Sequence, residues 1–446
     1  MINKIPKHLK IVIIFFSFLM CILIIVKIKN DTNPQKILEE KKEQIYNLID
    51  KTIFVDVSKY TIYGTHFNIE GTIDIVKISG IKISNVDLCL RDLEGKEYSI
   101  KSNFNIQDNL VSFSTTEKIN EGLDLENLPI NNYYVLLKVT FSNSDVKYYS
   151  LKNSSEYKDL TYYTITKNQT NNKIDISFKQ SKNLQYMNLV VEKAVSLPDN
   201  VYDIAIDPGH GGKDKGAKSG DYTEAELVLK CGLDLKTKLE NLGFKVFISR
   251  DGTENQSEDT ANNMYNENGR VNILNNSHAK ILLSLHLNEY NYSKKTGGVE
   301  VYAPCNCNLD FASKIAENIV NTANTHYSEL KTFRVQDGVY VRNFNNADIL
   351  AFTSRAQKNG YEPYNITTST PYLYIIRETG GISTGAFVDG RNTSYGKNTN
   401  YNSNVGIESY QIELGYMKIE EDLNNIVNNY DKYMEAIANA VLQFAN

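Results

Sequence analysis

Hydrophobic and polar positions change rhythm three times along the chain. Residues 11–26 (IVIIFFSFLMCILIIV) are apolar throughout except for Ser17. Ile37, Leu38, Ile45, Leu48 and Ile49 then recur at helical spacing and predict a short helical stalk over 30–50. From 51 to 195 the pattern shortens to alternating runs such as TIDIVKI (72–78), VDLCLR (86–91), YYVLLKVTF (133–141) and KIDISF (173–178), separated by turn signals. Runs of that length, rich in β-branched and aromatic residues, predict an antiparallel, sandwich-like all-β domain. Beyond 201, apolar runs alternate with amphipathic stretches. YDIAIDPGHGG (202–212), FKVFIS (244–249), KILLSLHLN (280–288), GVEVYAP (298–304), YLYIIRE (372–378) and SYQIELGYM (409–417) read as strands. Leu227, Val228, Cys231, Leu235 and Leu239 share one helical face, as do the apolar positions of 310–327 and 425–444. This alternation predicts an α/β domain, a mainly parallel sheet flanked by helices. The expected division is 1–29, 30–50, 51–195 and 201–446.

The first segment reads as a transmembrane helix. Sixteen apolar residues fall short of the ~20 that span a bilayer, but Lys4, Lys7, Lys10, Lys27 and Lys29 flank them and can snorkel. No small-residue cleavage site follows Val26, so an uncleaved anchor is favoured over a signal peptide. Met20 before Cys21, and the apolar run beyond it, speak against a lipoprotein. The lysines ahead of the span place the N-terminus inside, so the chain from residue 30 onward is expected outside a cell membrane, crossed once.

Composition narrows the partners. Of 446 residues, 41% are hydrophobic and 23% charged, as in folded protein, and about 150 residues per domain allows two or three domains. Net charge is −5, yet the first 29 residues hold five Lys and no acid, which leaves an acidic body without the basic face a nucleic-acid partner requires. No protein partner is identifiable. Five cysteines are too few for a disulfide scaffold, and Cys305 and Cys307 sit closer than zinc-knuckle spacing, so a loop pair or a local disulfide is expected there. The Tyr-rich β strands could stack on sugar rings, although ordinary sheet packing is the simpler reading. His66, His278 and His326 read as structural or solvated.

In open α/β sheets, ligands sit beyond the carboxyl ends of the strands. His210 lies just past the first α/β strand, Glu224 opens the first helix, His286 ends the 280–288 strand and Glu413 lies late in the last strand. Two imidazoles and a carboxylate suit a catalytic Zn²⁺ site that keeps a position for water, and a further carboxylate can serve as base. Taken singly, each of these residues has an equally ordinary structural reading.

The motifs DPGHGG (207–212), Glu224 at a helix start, SLHLN (284–288), GGVEVY (297–302) and IELGY (412–416) resemble, in order, the zinc-dependent N-acetylmuramoyl-L-alanine amidases over residues 201–446. The resemblance implies that His210, Glu224 and His286 bind Zn²⁺ and that Glu413 is the catalytic glutamate. The substrate implied is peptidoglycan, cut at the amide between the lactyl group of N-acetylmuramic acid and L-alanine. That substrate lies where the anchor would place the enzyme, facing the cell wall. A zinc peptidase acting on stem peptides and a noncatalytic wall-binding protein are the alternatives. Glu226 competes with Glu224 as ligand, and Glu378 in RETGG (377–381) with Glu413 as base. Asp207 is expected either to orient a ligand imidazole or to stabilise its turn. Arg250 and Arg270 are expected in structural ion pairs. The stretches 328–372 and 379–406 are longer than the family core and read as loops, candidate walls of a substrate groove. The role of the β domain is not legible.

Overall fold

The computed structural model describes residues 33–445 without 76–81, 155–157, 167–170, 259, 261–267, 290–296, 359, 361–365 and 381–403, together with residues 16, 17 and 20. The apolar stretch 11–26 otherwise lies outside the described residues. Among those described, no helix is long and apolar enough to cross a membrane.

The stalk forms the helix Pro34–Leu48. Asn33 caps it by accepting from the Gln35 amide at 3.0 Å, and Pro34 suits the first turn, where no N–H partner is needed. Its apolar side is not free, since Ile45 and Ile49 pack against Leu136 and Leu184 of the β region.

The β region differs in one respect from a sandwich of two separate sheets. Strand Val146–Asn153 pairs antiparallel with Asn131–Phe141 on one side and parallel with Val55–Tyr63 on the other. The strands thereby join one thirteen-stranded network among the described residues. They enclose a core from both halves, including Val57, Phe67, Leu88, Val135, Val139 and Leu189. Tyr60, Tyr63, Tyr133, Tyr149 and Tyr162 are buried, so sheet packing accounts for these tyrosines.

The α/β region is built on seven strands in the order 246–248, 204–208, 281–288, 408–416, 300–302, 339–340 and 334–336. Alternate residues of one strand face opposite layers: Ile281, Leu283 and Leu285 pack with helices Glu224–Asn241, Asp310–Ala323 and Glu420–Phe444, while Leu282 packs with Leu274 and Ile375 of helices Arg270–Asn276 and Tyr374–Thr379. Strand Glu408–Tyr416 lies in the middle and is buried at all nine positions.

Three expectations are corrected here. The sheet is mixed, not mainly parallel: Glu300–Tyr302 runs antiparallel to Glu408–Tyr416, and Arg334–Gln336 antiparallel to Val339–Tyr340. The connection from 288 to 300 is too short for a helical crossover, so the chain returns in the opposite sense. YLYIIRE is a helix over Tyr374–Thr379, not a strand. A short apolar run has no period that separates the two states. Helical winding lets Ile375 and Ile376 bury while Arg377, also buried, donates to the Tyr372 carbonyl at 2.7 Å and to Glu378 at 2.8 Å. The 328–372 stretch is likewise not a bare loop. It adds two edge strands and the helix Asn346–Lys358, whose Phe352 meets Phe344 and Tyr372. Most of 379–406 lies outside the described residues. Cys305 and Cys307 are free, buried thiols.

The β region meets the α/β region at the amino ends of the sheet strands. Val405–Gly406 pairs parallel with Ile62–Tyr63, through Ile62 N–H to Asn404 at 2.7 Å and Gly64 N–H to Gly406 at 2.9 Å. Asn120 donates to the buried Glu408 carboxylate at 2.8 Å. Gly64 has φ +58°, and a Cβ there would stand 2.8 Å from Glu408 Oε2 and 3.0 Å from Glu408 Cβ. Gly64→Val therefore combines a left-handed backbone with overpacking against Glu408. It should cost roughly 2–4 kcal/mol, read as a lower denaturation midpoint in chemical unfolding; an unchanged midpoint would show that this contact does not hold the two regions together.

Candidate metal centre

The Gly-rich turn after strand Ile204–Pro208 carries His210 with φ +60°, a conformation rare for a side chain with a Cβ. Two arginines hold that turn from behind. Arg250 donates to the carbonyls of Pro208 and Gly209, each at 2.9 Å, and to that of Ala225, and it pairs with Glu254 at 2.9 Å. Arg270 donates to the His210 carbonyl and pairs with Asp207 at 3.4 Å. Asp207 accepts from Ser249 at 2.6 Å and Ser284 at 2.9 Å, so it is tied to neighbouring strands and not to a ligand imidazole.

The first turn of helix Glu224–Asn241 separates the two candidate glutamates. Glu226 is exposed and caps the helix reciprocally with Thr223, whose hydroxyl donates to it at 2.8 Å. Glu224 is buried and turns inward. Its Oε1 lies 2.9 Å from His210 Nε2 and 3.0 Å from His286 Nδ1, and it accepts from the Leu287 amide at 3.0 Å. Its Oε2 accepts from the Ala217 amide at 3.0 Å. His286 sits near the carboxyl end of strand Ile281–Asn288, its ring 5.0 Å from that of His210 and inclined at 75°. One donor atom from each of His210, Glu224 and His286 lies within 4.8 Å of the others.

Glu413 is brought beside this cluster, in register with His286 on the adjacent parallel strand. Its Oε1 accepts from Gln411 at 2.8 Å. Burial, then the charge of Glu224, push its carboxyl up to about 8. Burial alone would lower the proton affinity of His210, but its hydrogen bonds to the carboxylates of Asp214 and Glu224 outweigh it and raise it to about 9. Burial likewise opposes ionisation of Glu224, yet the two imidazoles hold it well below the usual carboxylate range. Glu378 is not part of the site: it is buried in helix Tyr374–Thr379 and paired with Arg377. His278 and His326 are exposed and stand outside the cluster.

Sequence reasoning missed Asp214 and Gln411. Asp214 Oδ2 lies 3.0 Å from His210 Nδ1 and fixes the ring with Nε2 facing Glu224. Its signal is faint, a carboxylate four residues beyond His210 inside the same glycine-rich turn. Gln411 is one side-chain alternation before Glu413 on a strand whose other positions are mostly apolar, and that polar intrusion was the available clue.

The residues fit a divalent metal on structural grounds. Two imidazole nitrogens and a carboxylate oxygen converge, the far nitrogen of His210 is carboxylate-bound, and glycines stand where side chains would invade. A Cβ on Gly209 would lie 2.3–2.6 Å from the His286 ring, and one on Gly216 would lie 2.6 Å from Glu224 Oε2 and 2.8 Å from His210 Cδ2.

With fold and site in place, comparison with known proteins assigns the chain. The sequence pattern described as N-acetylmuramoyl-L-alanine amidase matches residues 204–443, over half of the chain, and the chain belongs to that family. A germination-specific N-acetylmuramoyl-L-alanine amidase of Bacillus subtilis (strain 168) is 31% identical over 126 residues, 26% of this chain and 52% of that protein. The chain thus spans about half the length of that relative. A sporulation-specific N-acetylmuramoyl-L-alanine amidase of the same strain is 24% identical over 240 residues, 51% of this chain and 79% of that protein. Among solved structures, the CwlD amidase of Clostridioides difficile, in complex with the GerS lipoprotein, matches 55% of this chain and 97% of its own at 20% identity and a TM-score of 0.34.

Gly209→Ala should lose bound divalent metal in the purified full chain, measured by elemental analysis, while the far-ultraviolet circular dichroism is kept. Full metal occupancy in this variant would show that the His286 ring need not lie where it does.

Proposed function

We propose that this chain is a zinc-dependent hydrolase of peptidoglycan that cuts the amide between the lactyl group of N-acetylmuramic acid and L-alanine. The observation that carries the reading is the convergence of His210, Glu224 and His286 on one point beside the buried carboxylate of Glu413. Membership of the amidase family supports the choice of bond. His210, Glu224 and His286 would hold Zn²⁺, and Asp214 would keep the His210 ring turned toward it.

An amide carbonyl is a poor electrophile and water a poor nucleophile at neutral pH. Bound Zn²⁺ supplies the Lewis acidity that remedies both. Glu413 takes the proton from the attacking water and returns it to the leaving L-alanine nitrogen. Gln411 holds one carboxylate oxygen by hydrogen bond and leaves the other for the proton in transit.

Glu413→Gln keeps the shape of the side chain and removes the base. Hydrolysis of purified sacculi should fall by about 10²–10⁴-fold, with metal content unchanged. The parent protein should release stem peptides with free N-terminal L-alanine and leave the glycan intact, by mass spectrometry. Parent-like hydrolysis by the variant would remove Glu413 from the mechanism, and cleavage inside the stem peptide would replace the amidase reading by a peptidase.

The location belongs to the same proposal. The apolar stretch 11–26, with lysines on both sides, supports a single-pass anchor that keeps the hydrolase on the outer face of the cell membrane, toward the wall. The full chain should stay in the membrane fraction after carbonate extraction, and a protease added to protoplasts should digest it. Recovery in the carbonate-soluble fraction would overturn the anchor.

A further inference from the structure

A cavity of about 420 Å³ opens where the β region meets the amino ends of the α/β strands. Buried residues form its depth, among them Ile62, Tyr162 and Lys280, while exposed His278 and Val405 lie at its rim. None of its lining side chains is acidic. Its volume is that of a small-molecule pocket, with apolar and aromatic walls around few polar groups.

Lys280 is the anomaly. It is only 4% exposed, and a buried ammonium is normally paired with a carboxylate. Its Nζ makes one long hydrogen bond, to the Tyr202 carbonyl at 3.4 Å, and stands 5.1 Å from the centre of the Tyr162 ring. Among the described residues it has no ion-pair partner within 4.0 Å. Asp203 and Glu126 attract it from farther off, but each is engaged elsewhere. Asp203 accepts from Thr166 and from the Lys245 amide, and Glu126 from the Tyr162 hydroxyl and the Ile165 amide. Burial outweighs both attractions and pulls the ammonium down to about 8. Lys173, at the same cavity, has its charge met by Asp175 and Glu192.

We propose that this cavity is a binding site for a small organic carboxylate, whose anionic end pairs with Lys280 and whose body lies against Ile62, Tyr162, Tyr163 and Val405. One buried ammonium with aromatic walls matches a single carboxylate attached to a body of sugar or dipeptide size. A phosphate group calls for several converging donors, and no arginine lines the cavity. The site is separate from the candidate metal centre. Lys280 immediately precedes the strand that carries His286, and six residues of extended chain span roughly 20 Å. Its walls come from both regions and from the added strand Val405–Gly406, so an occupant bridges the join between them.

The test measures binding alone and stands apart from the proposed hydrolysis. The full chain is titrated calorimetrically with N-acetylmuramic acid, L-alanyl-D-glutamate, neutral N-acetylglucosamine and inorganic phosphate. At least one of the two carboxylates should bind saturably below ~10 mM, and neither N-acetylglucosamine nor phosphate should. Lys280→Met should weaken that binding at least tenfold. Val405→Trp, which fills the rim and leaves the ammonium in place, should abolish it and decides the matter where Lys280→Met does not fold. Absence of saturable binding by either carboxylate, equal binding of phosphate or of the neutral sugar, or carboxylate binding that survives Val405→Trp would each overturn the proposal; the last would place the ligand at the metal centre instead.

Discussion

The candidate site depends on one buried carboxylate. Glu224 accepts from two backbone amides, Ala217 and Leu287, that belong to different stretches of chain, and meets two imidazoles, His210 and His286, from the same two stretches. It ties the glycine-rich turn, the start of helix Glu224–Asn241 and the end of strand Ile281–Asn288 to a single point. A carboxylate buried this deeply is tolerated only where each lone pair is met. Here the groups that meet it are the other members of the site, so the solvation of Glu224 and the geometry of the cluster are one arrangement. The helix start adds to it, since the first turn presents a partial positive charge to acidic residues.

That arrangement fixes the polarity of the whole molecule. His210, His286 and Glu413 lie toward the carboxyl ends of parallel strands, and the connections beyond those ends are where α/β sheets hold ligands. The β region docks at the opposite ends, through Glu408, Lys280 and Asp203. It therefore does not cover the candidate site. Its contact is also more than surface apposition, because a strand from the α/β chain is added to its edge and a glycine allows Glu408 to approach the backbone closely.

Much of this was legible in the sequence where composition and period agree. The runs 204–206 and 281–283 are apolar without interruption, as strands buried on both faces are, and the polar residues toward the carboxyl ends of such strands stand out as candidate chemistry. His286 and Glu413 are legible from their places at strand ends. Helix Tyr374–Thr379 is not legible in this way, because YLYIIRE is too short to show a period and its buried Arg377 is accommodated by Glu378 and by carbonyls that the fold brings near. The reversal at Glu300–Tyr302 hides in the length of one connection. Asp214 hides in a turn whose conformation, with His210, Gly211 and Gly212 all at positive φ, no periodicity describes. The different directions of Glu224 and Glu226 arise within a single helical turn, where the capping bond of Thr223 holds Glu226 outward.

The charge around the centre points the same way as its geometry. Glu413 faces Glu300 across the antiparallel pair of strands, and Glu300 is fully buried with Asn288, Tyr302 and Tyr416 as its donors. Glu224 lies close enough to raise the proton affinity of Glu413, as does Glu300. The cations of the chain that are near, Arg250 and Arg270, are turned to the back of the glycine-rich turn and meet carbonyls, Glu254 and Asp207. Neighbouring carboxylates favour the protonated forms of both His210 and Glu413. A divalent cation held by His210, Glu224 and His286 would supply positive charge where these carboxylates concentrate negative charge. The excess of buried carboxylate thus complements the positive charge that a cation among the three converging donors would bring.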